Sequence, residues 1–164
     1  MTTTLVRTRH ATRHDVPRLV ALHHRCSPDT LHKRFHVPVT AVTPRLVEQL
    51  VEPPGGWSVV AEQHGDLVGH GCAGPLEPRV VEVGLLVEDA RQGTGVGVRL
   101  TRDLALEATR RGFETMVCLA QPDNEAVLHT VRRAGLACTA VRRDGLLEVR
   151  VALPARRRPL VQPA

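Results

Sequence analysis

The sequence predicts one mixed α/β domain, and three observations carry that prediction. The chain has 164 residues, the length of a single hydrophobic core. Its 42% hydrophobic and 24% charged residues are the balance of an ordinary globular protein, far from disorder, collagen, coiled coil or a membrane span. Its apolar spacing is helical before Pro53-Pro54-Gly55-Gly56, becomes that of short strands after it, and then alternates between the two periods.

Leu5 to Thr12 reads as a first strand. Asp15 followed by Pro17 starts a helix through Leu19, Val20 and Leu22, Ser27-Pro28-Asp29 opens a second toward Phe35, and Thr43-Pro44 a third through Val47, Leu50 and Val51. Beyond the break, Trp57 to Glu62, Leu67 to Ala73 and Val80 to Val87 are short strands, separated by His64-Gly65-Asp66 and by the Pro75 to Pro78 segment. Thr94 to Arg111 returns to helical spacing with Val96, Leu100, Leu104 and Ala108 on one face. Thr115 to Ala120 is a buried-type strand and Glu125 to Ala134 a helix closed by Gly135. Ala137 to Val141 and Leu146 to Leu153 form a hairpin around Arg143-Asp144-Gly145. One domain over 1–153 is expected, followed by a basic, Pro- and Arg-rich tail over 154–164 that reads as disordered.

Composition narrows the partners. The net charge of +5 permits nucleic acid or an anionic ligand, but the tail holds Arg156, Arg157 and Arg158 and no acid, so without it 19 bases face 17 acids and the charge is +2. A short basic run without stacking aromatics is weak ground for nucleic acid. There are 21 Arg against one Lys, no Ile and no Tyr, the bias of a GC-rich genome. Cys26, Cys72, Cys118 and Cys138 form no C-x-x-C pair, and the N-terminus shows no apolar signal region, so a reduced cytoplasm is expected. His32 and His36 stand at i, i+4 near His23, His24 and Cys26, yet no zinc motif completes them; they read as a solvated or substrate-facing helix surface, and no metal is expected. His70-Gly71-Cys72 reads as core or cleft lining.

The informative segment runs from Val81 to Leu100. A strand feeds a short turn, then a glycine-rich loop, then an amphipathic helix, a geometry that turns unpaired backbone N–H groups and the positive end of the helix dipole toward an anion such as pyrophosphate. No Gly-Lys pair exists for a P-loop, and Gly93, Gly95 and Gly97 are spaced G-x-G-x-G rather than G-x-G-x-x-G. What fits is Gln92-x-x-Gly95-x-Gly97; taken alone, it would also suit a glycine-softened helix start with no ligand.

Preceded by a strand of the type Glu-Val-x-Leu-x-Val, that pattern resembles motif A of the GNAT acyltransferases. Asn124, with Gly135-Leu136 eleven residues later, resembles the family's second motif, and the element order matches over roughly residues 5 to 153. Ser27-Pro28-Asp29-Thr30-Leu31-His32-Lys33-Arg34-Phe35 is similar to a segment of the bacterial Pat-type protein lysine acetyltransferases, in which a strand Glu stands ten residues before the motif Gln, as Glu82 stands before Gln92. The resemblance implies a mixed, mostly antiparallel central sheet of six to seven strands flanked by about four helices. It implies acetyl-CoA as cosubstrate, its pyrophosphate on Gln92, Gly93, Thr94, Gly95, Val96 and Gly97, its pantetheine along the strand at Leu85, Leu86 and Val87, and Asn124 helping to hold that arm. The expected partners are acetyl-CoA and an amine acceptor, with a homodimer allowed and neither membrane nor nucleic acid.

Acyl transfer to an amine needs a base, because an alkylammonium is charged at neutral pH. Glu82 is the candidate; an edge-strand Glu paired with one of the many Arg residues is the alternative. The side chains at Leu85 to Val87 are apolar, so the thioester carbonyl would be polarised by backbone N–H groups. Many relatives carry a Tyr acid seven residues after the motif Asn, and here that position is Val131, with Cys118 and His129 as weak substitutes. The acceptor expected is a protein lysine. A small amine is the alternative, and so is a catalytically weak acyl-CoA-binding module.

Overall fold

The computed structural model describes residues 5–155. Seven strands form one sheet in the order β1-β2-β3-β4-β5-β7-β6: β1 is Arg7–His10, β2 Trp57–Gln63, β3 Asp66–Glu77, β4 Val80–Val87, β5 Thr115–Ala120, β6 Cys138–Arg143 and β7 Leu146–Ala152. Every pairing is antiparallel except β4 with β5. Five α-helices flank the sheet: α1 Val16–Arg25, α2 Pro28–Phe35, α3 Pro44–Val51, α4 Val96–Arg110 and α5 Glu125–Arg133.

This is the mixed, mostly antiparallel architecture expected, with one helix more than the resemblance implied. The segment before β2 divides into three helices because it restarts three times with Pro in the first turn, at α2 and α3 behind a capping hydroxyl. Ser27 Oγ accepts from the Thr30 amide at 3.2 Å and Thr43 Oγ1 from the Leu46 amide at 3.2 Å. Other boundaries moved locally. β3 continues through Pro75, which stands where the register with β4 shifts, the place a strand tolerates a missing N–H. α4 begins at Val96 rather than Thr94, because Gly95 holds a left-handed φ of 95° and caps it. The expected disordered tail lies, from residue 156 on, outside the described residues. Among the described residues no helix is long and apolar enough to cross a membrane.

The sheet separates two cores. On one face α4 and α5 pack Val96, Leu100, Leu104 and Val131 against Val81, Val83, Met116 and Val149; on the other, Leu19, Leu22, Val47 and Val51 meet Val60, Leu67 and Leu86. α4 lies close on β3 because Gly69 and Gly71 face it: a Cβ at either would come within 2.9 Å of Val96 Cγ1 or Leu104 Cδ1. That approach sets the start of α4 beside the end of β4.

Between Gly69 and Cys72 on β3, His70 points into the second core. It is 1% exposed and neither ring nitrogen has a partner among the described residues, while His23 beside it donates from Nδ1 to the Leu19 carbonyl, 2.7 Å away. Burial, reinforced by the nearby Arg34 charge and by His23, pushes the His70 pKa down to about 3. The unfolded chain takes up this proton near 6.5 and the folded chain refuses it, so stability is lost as pH falls through that window. His70 alone should remove about 2 kcal/mol between pH 7 and pH 5. Urea unfolding of the wild type and His70→Leu at both pH values checks this: the variant's stability should fall less by about that amount, and equal losses would contradict the assignment.

Candidate active site

The site begins with a strand that loses one neighbour. β4 stays paired with β3 as far as Val87, but with β5 only from Val80 to Val83, opposite Thr115 to Cys118. β5 continues to Ala120 along β7, so beyond Val83 and Cys118 the two parallel strands part. The Glu88 amide donates to the Val68 carbonyl at 3.0 Å, which fixes the antiparallel alternation on the β3 side. By that alternation Leu86 and Gly84 bond to β3, whereas the amides of Leu85 and Val87 turn into the split. A cleft of about 560 Å³ opens there, between the end of β4, the loop into α4, and α5.

At one end of the cleft lies the glycine loop. Gly93 and Gly95 hold φ of 75° and 95°, values an L side chain rarely adopts, and α4's first internal bond is Arg99 to the Gly95 carbonyl. The amides of Gly93, Gly95, Val96, Gly97 and Val98 therefore have no acceptor among the described residues. With the helix dipole behind them they form an anion cradle. The Gln92 side chain does not point at this cradle. Its Nε2 donates to the Val87 carbonyl at 3.1 Å and to Thr30 Oγ1 at 3.0 Å. Asp89 completes the latch by accepting from Ser27 Oγ at 2.6 Å and Thr30 Oγ1 at 3.0 Å, so the loop and α2 are bound together. Thr94 turns back, donating to the Arg91 carbonyl at 2.6 Å, and the Val96 side chain is core; only its amide remains for a ligand. Asn124 caps α5 without a side-chain hydrogen bond among the described residues, so its carboxamide is left for a ligand on the opposite wall, while its backbone amide donates to the Gln121 carbonyl at 3.0 Å.

On the α2 side of the sheet the cleft is lined by Glu82, Arg34, His36 and Cys72. Glu82, half-buried, makes no ion pair or hydrogen bond among the described residues; the expected alternative of an Arg-bridged edge glutamate is not what the structure shows. His36 ends α2 with a φ of 61°, and burial, then the Arg34 charge, hold its pKa down, with Glu82 opposing. Cys118, on the other face, is pushed up to about 12 by burial and so stays a thiol. His129 is exposed at the rim, and Val131 is buried in the core while bordering the cleft. All four cysteines are free, and no group of three or more metal-ligating side chains occurs among the described residues.

The structure thus brings Glu82, Leu85, Leu86, Val87, Gln92, Gly93, Gly95, Gly97 and Asn124 to one cleft, and leaves the Thr94 and Val96 side chains off it. Sequence reasoning did not single out Arg34, and it left His36 as a solvated or substrate-facing surface and Cys72 as core or cleft lining; all three border the cleft. The Arg-Phe pair of the Ser27 to Phe35 segment was the available signal for Arg34; the pairing of Cys72 opposite Gly84 decides between core and cleft lining for it.

Similarity to known proteins agrees with this geometry. The acetyltransferase (GNAT) family model matches residues 17–136. No curated protein matches in sequence. Among solved structures, the GNAT domain of Streptomyces lividans PAT superposes with a TM-score of 0.80 at 23% identity, covering 90% of each chain. A ribosomal-protein-alanine N-acetyltransferase from Brucella melitensis does so with 0.72 at 25%, covering 90% of this chain and 99% of that one. The putative acetyltransferase yncA of Salmonella typhimurium, solved with its cofactor acetyl-CoA, does so with 0.75 at 22%, covering 96% and 99%. With the family match spanning most of the domain that contains the split strands and the glycine loop, the chain belongs to the GNAT acetyltransferase family.

Proposed function

We propose that the chain transfers the acetyl group of acetyl-CoA directly to a primary amine, with Glu82 as the base. The observation that carries this reading is the split between β4 and β5 with the unpaired Glu82 carboxylate at its closed end. The free amides of Gly93 and Gly95 to Val98 fit a pyrophosphate, and the Leu85 and Val87 amides fit an extended amide-containing arm laid against the strand. Bound there, acetyl-CoA supplies a thioester: an acyl carbon and a thiolate that can leave.

Glu82 accepts a proton from the incoming ammonium, directly or through one water, and frees the nitrogen lone pair. The Leu85 or Val87 amide stabilises the carbonyl oxygen as it gains charge. The amine nitrogen bonds to the acyl carbon as the carbon–sulfur bond breaks, and the second proton it sheds passes through water to the departing thiolate. The thiolate is tolerable near neutral pH, so water can protonate it and the Val131 position needs no acid. A reduced cytoplasm suits the four free cysteines.

A protein lysine is the acceptor that the Ser27 to Phe35 resemblance favours. A small amine is the second reading, favoured by the half-buried Arg34 guanidinium on the cleft wall. CoA release from acetyl-CoA over a panel of lysine peptides and small amines tests the proposal. Turnover on at least one class is expected; acetyl-CoA binding with no turnover on any acceptor would leave only a binding module.

A further inference from the structure

Arg34 lines the cleft, and the acyl transfer does not use its charge. Many arginines on this chain meet a carboxylate, as Arg9 meets Asp15 at 2.7 Å, Arg25 meets Glu88 at 2.9 Å and Arg79 meets Glu114 at 2.6 Å. Arg34, half-buried, meets none among the described residues. Its Nη2 donates to Cys72 Sγ at 2.9 Å, and its Cζ stands 5.1 Å from the Phe35 ring centroid. A guanidinium carries five N–H donors, so most of this fork has no acceptor among the described residues. Its charge reaches the neighbouring histidines, helping to hold the His23, His36 and His70 pKa values down.

Its position is equally specific. The guanidinium lies flat against Gly84, where a Cβ would come within 2.6 Å of both Cζ and Nη1. Gly84 is two residues from Glu82 on the same face of β4, a separation of roughly 7 Å along a strand. A half-buried cation and a half-buried carboxylate thus stand on one wall, and among the described residues neither forms an ion pair. A molecule whose ammonium reaches Glu82 and whose carboxylate reaches Arg34 would satisfy both, each through a hydrogen bond of about 2.8 Å. That span fits a carboxylate a few bonds from the amine; a lysine side chain in a peptide has no carboxylate there.

We infer that Arg34 binds the carboxylate of the acceptor, and that the acceptor is therefore a small amino acid, its amine and carboxylate a few bonds apart. Arg suits this place better than Lys because its planar fork meets a carboxylate with two parallel hydrogen bonds. The inference rests on the acetyl-transfer reading but not on Glu82 as base.

The test pairs each free amino acid with the amine that lacks its carboxylate, alongside lysine peptides with and without an acidic neighbour, and reads kcat/KM from CoA release. The best amino acid should exceed its decarboxylated partner by about 100-fold, the range of a desolvated charge pair. In Arg34→Met that ratio should collapse toward one, with Arg34→Lys recovering part of it, while the acetyl-CoA Kd stays within about twofold of wild type as the check on folding. Equal loss on both members of the pair, no preference in the wild type, or turnover confined to lysine peptides would each overturn the inference. Failure of the base reading shows separately, because Glu82→Gln would then retain turnover while the wild-type ratio persists.

Discussion

Glu82→Gln should bind acetyl-CoA as the wild type does and lose about 100-fold or more in kcat. Gln keeps the shape of the side chain and removes the proton acceptor, so a loss confined to turnover isolates the base from the fold. Two features make the expected loss large. Among the described residues Glu82 has no hydrogen bond or ion pair that could be its structural reason for being there. Its neighbours on the same face, Gly84 and the Arg34 guanidinium lying over it, offer no second carboxylate. His36, which lines the same wall, could take over, since burial and the Arg34 charge hold its pKa down. A residual rate in Glu82→Gln that disappears in the double variant with His36→Ala would assign it that secondary role. Stopped-flow turnover with saturating acetyl-CoA, beside calorimetric titration of acetyl-CoA, separates the two steps.

The glycine loop gives the second large effect, and it comes with a built-in contrast. Gly95→Val should raise the acetyl-CoA Kd by about 10- to 100-fold, because a β-branched residue at φ of 95° carries strain of about 1–3 kcal/mol and relieves it by rotating the amides away from the anion. Protein packing is not the cause, since nothing lies within 4 Å of a Cβ there. Gly97 is different: it is inside α4, and its Cβ would meet Thr130 Cγ2 at an ordinary 3.5 Å. Gly97→Ala should therefore stabilise the fold by up to about 1 kcal/mol and still weaken acetyl-CoA binding, because the methyl stands where the anion approaches. Thermal unfolding without ligand and Kd measured on the same samples show whether stability and affinity move in opposite directions. An increase in both would mean that the pyrophosphate does not reach this turn.

The sequence made the fold legible because its punctuation is strong. Pro53 to Gly56 marks the change of period, Asp144-Gly145 turns the last hairpin with both residues at positive φ, and the strand-loop-helix around Gly93 and Gly95 has few alternative readings. The cofactor-side residues are contiguous along the chain, so the loop and the end of β4 could be assigned together. On the acceptor side only Glu82 was named as a candidate, through its ten-residue register with Gln92. Arg34 comes from α2, Cys72 from β3, Glu82 from β4 and His36 from the end of α2, and only the packing of α2 across the sheet brings them to one wall. Periodicity places Arg34 on a helix face but carries no information on whether a carboxylate waits opposite it. Gln92 shows the same limit: its motif position was readable, but its role as a strut between Val87 and Thr30 depends on side-chain geometry.

The central claim, direct transfer within one cleft, has a rival in the same structure. Cys72 and Cys118 both line the site, and in a two-step exchange either could carry the acetyl group, Cys118 only after losing the proton that its burial holds on. Initial velocities measured over a grid of acetyl-CoA and acceptor concentrations distinguish the two, with intact-protein mass recorded after incubation with acetyl-CoA alone. Direct attack predicts intersecting double-reciprocal lines and an unmodified chain; parallel lines with an acetyl group on either cysteine would contradict the account.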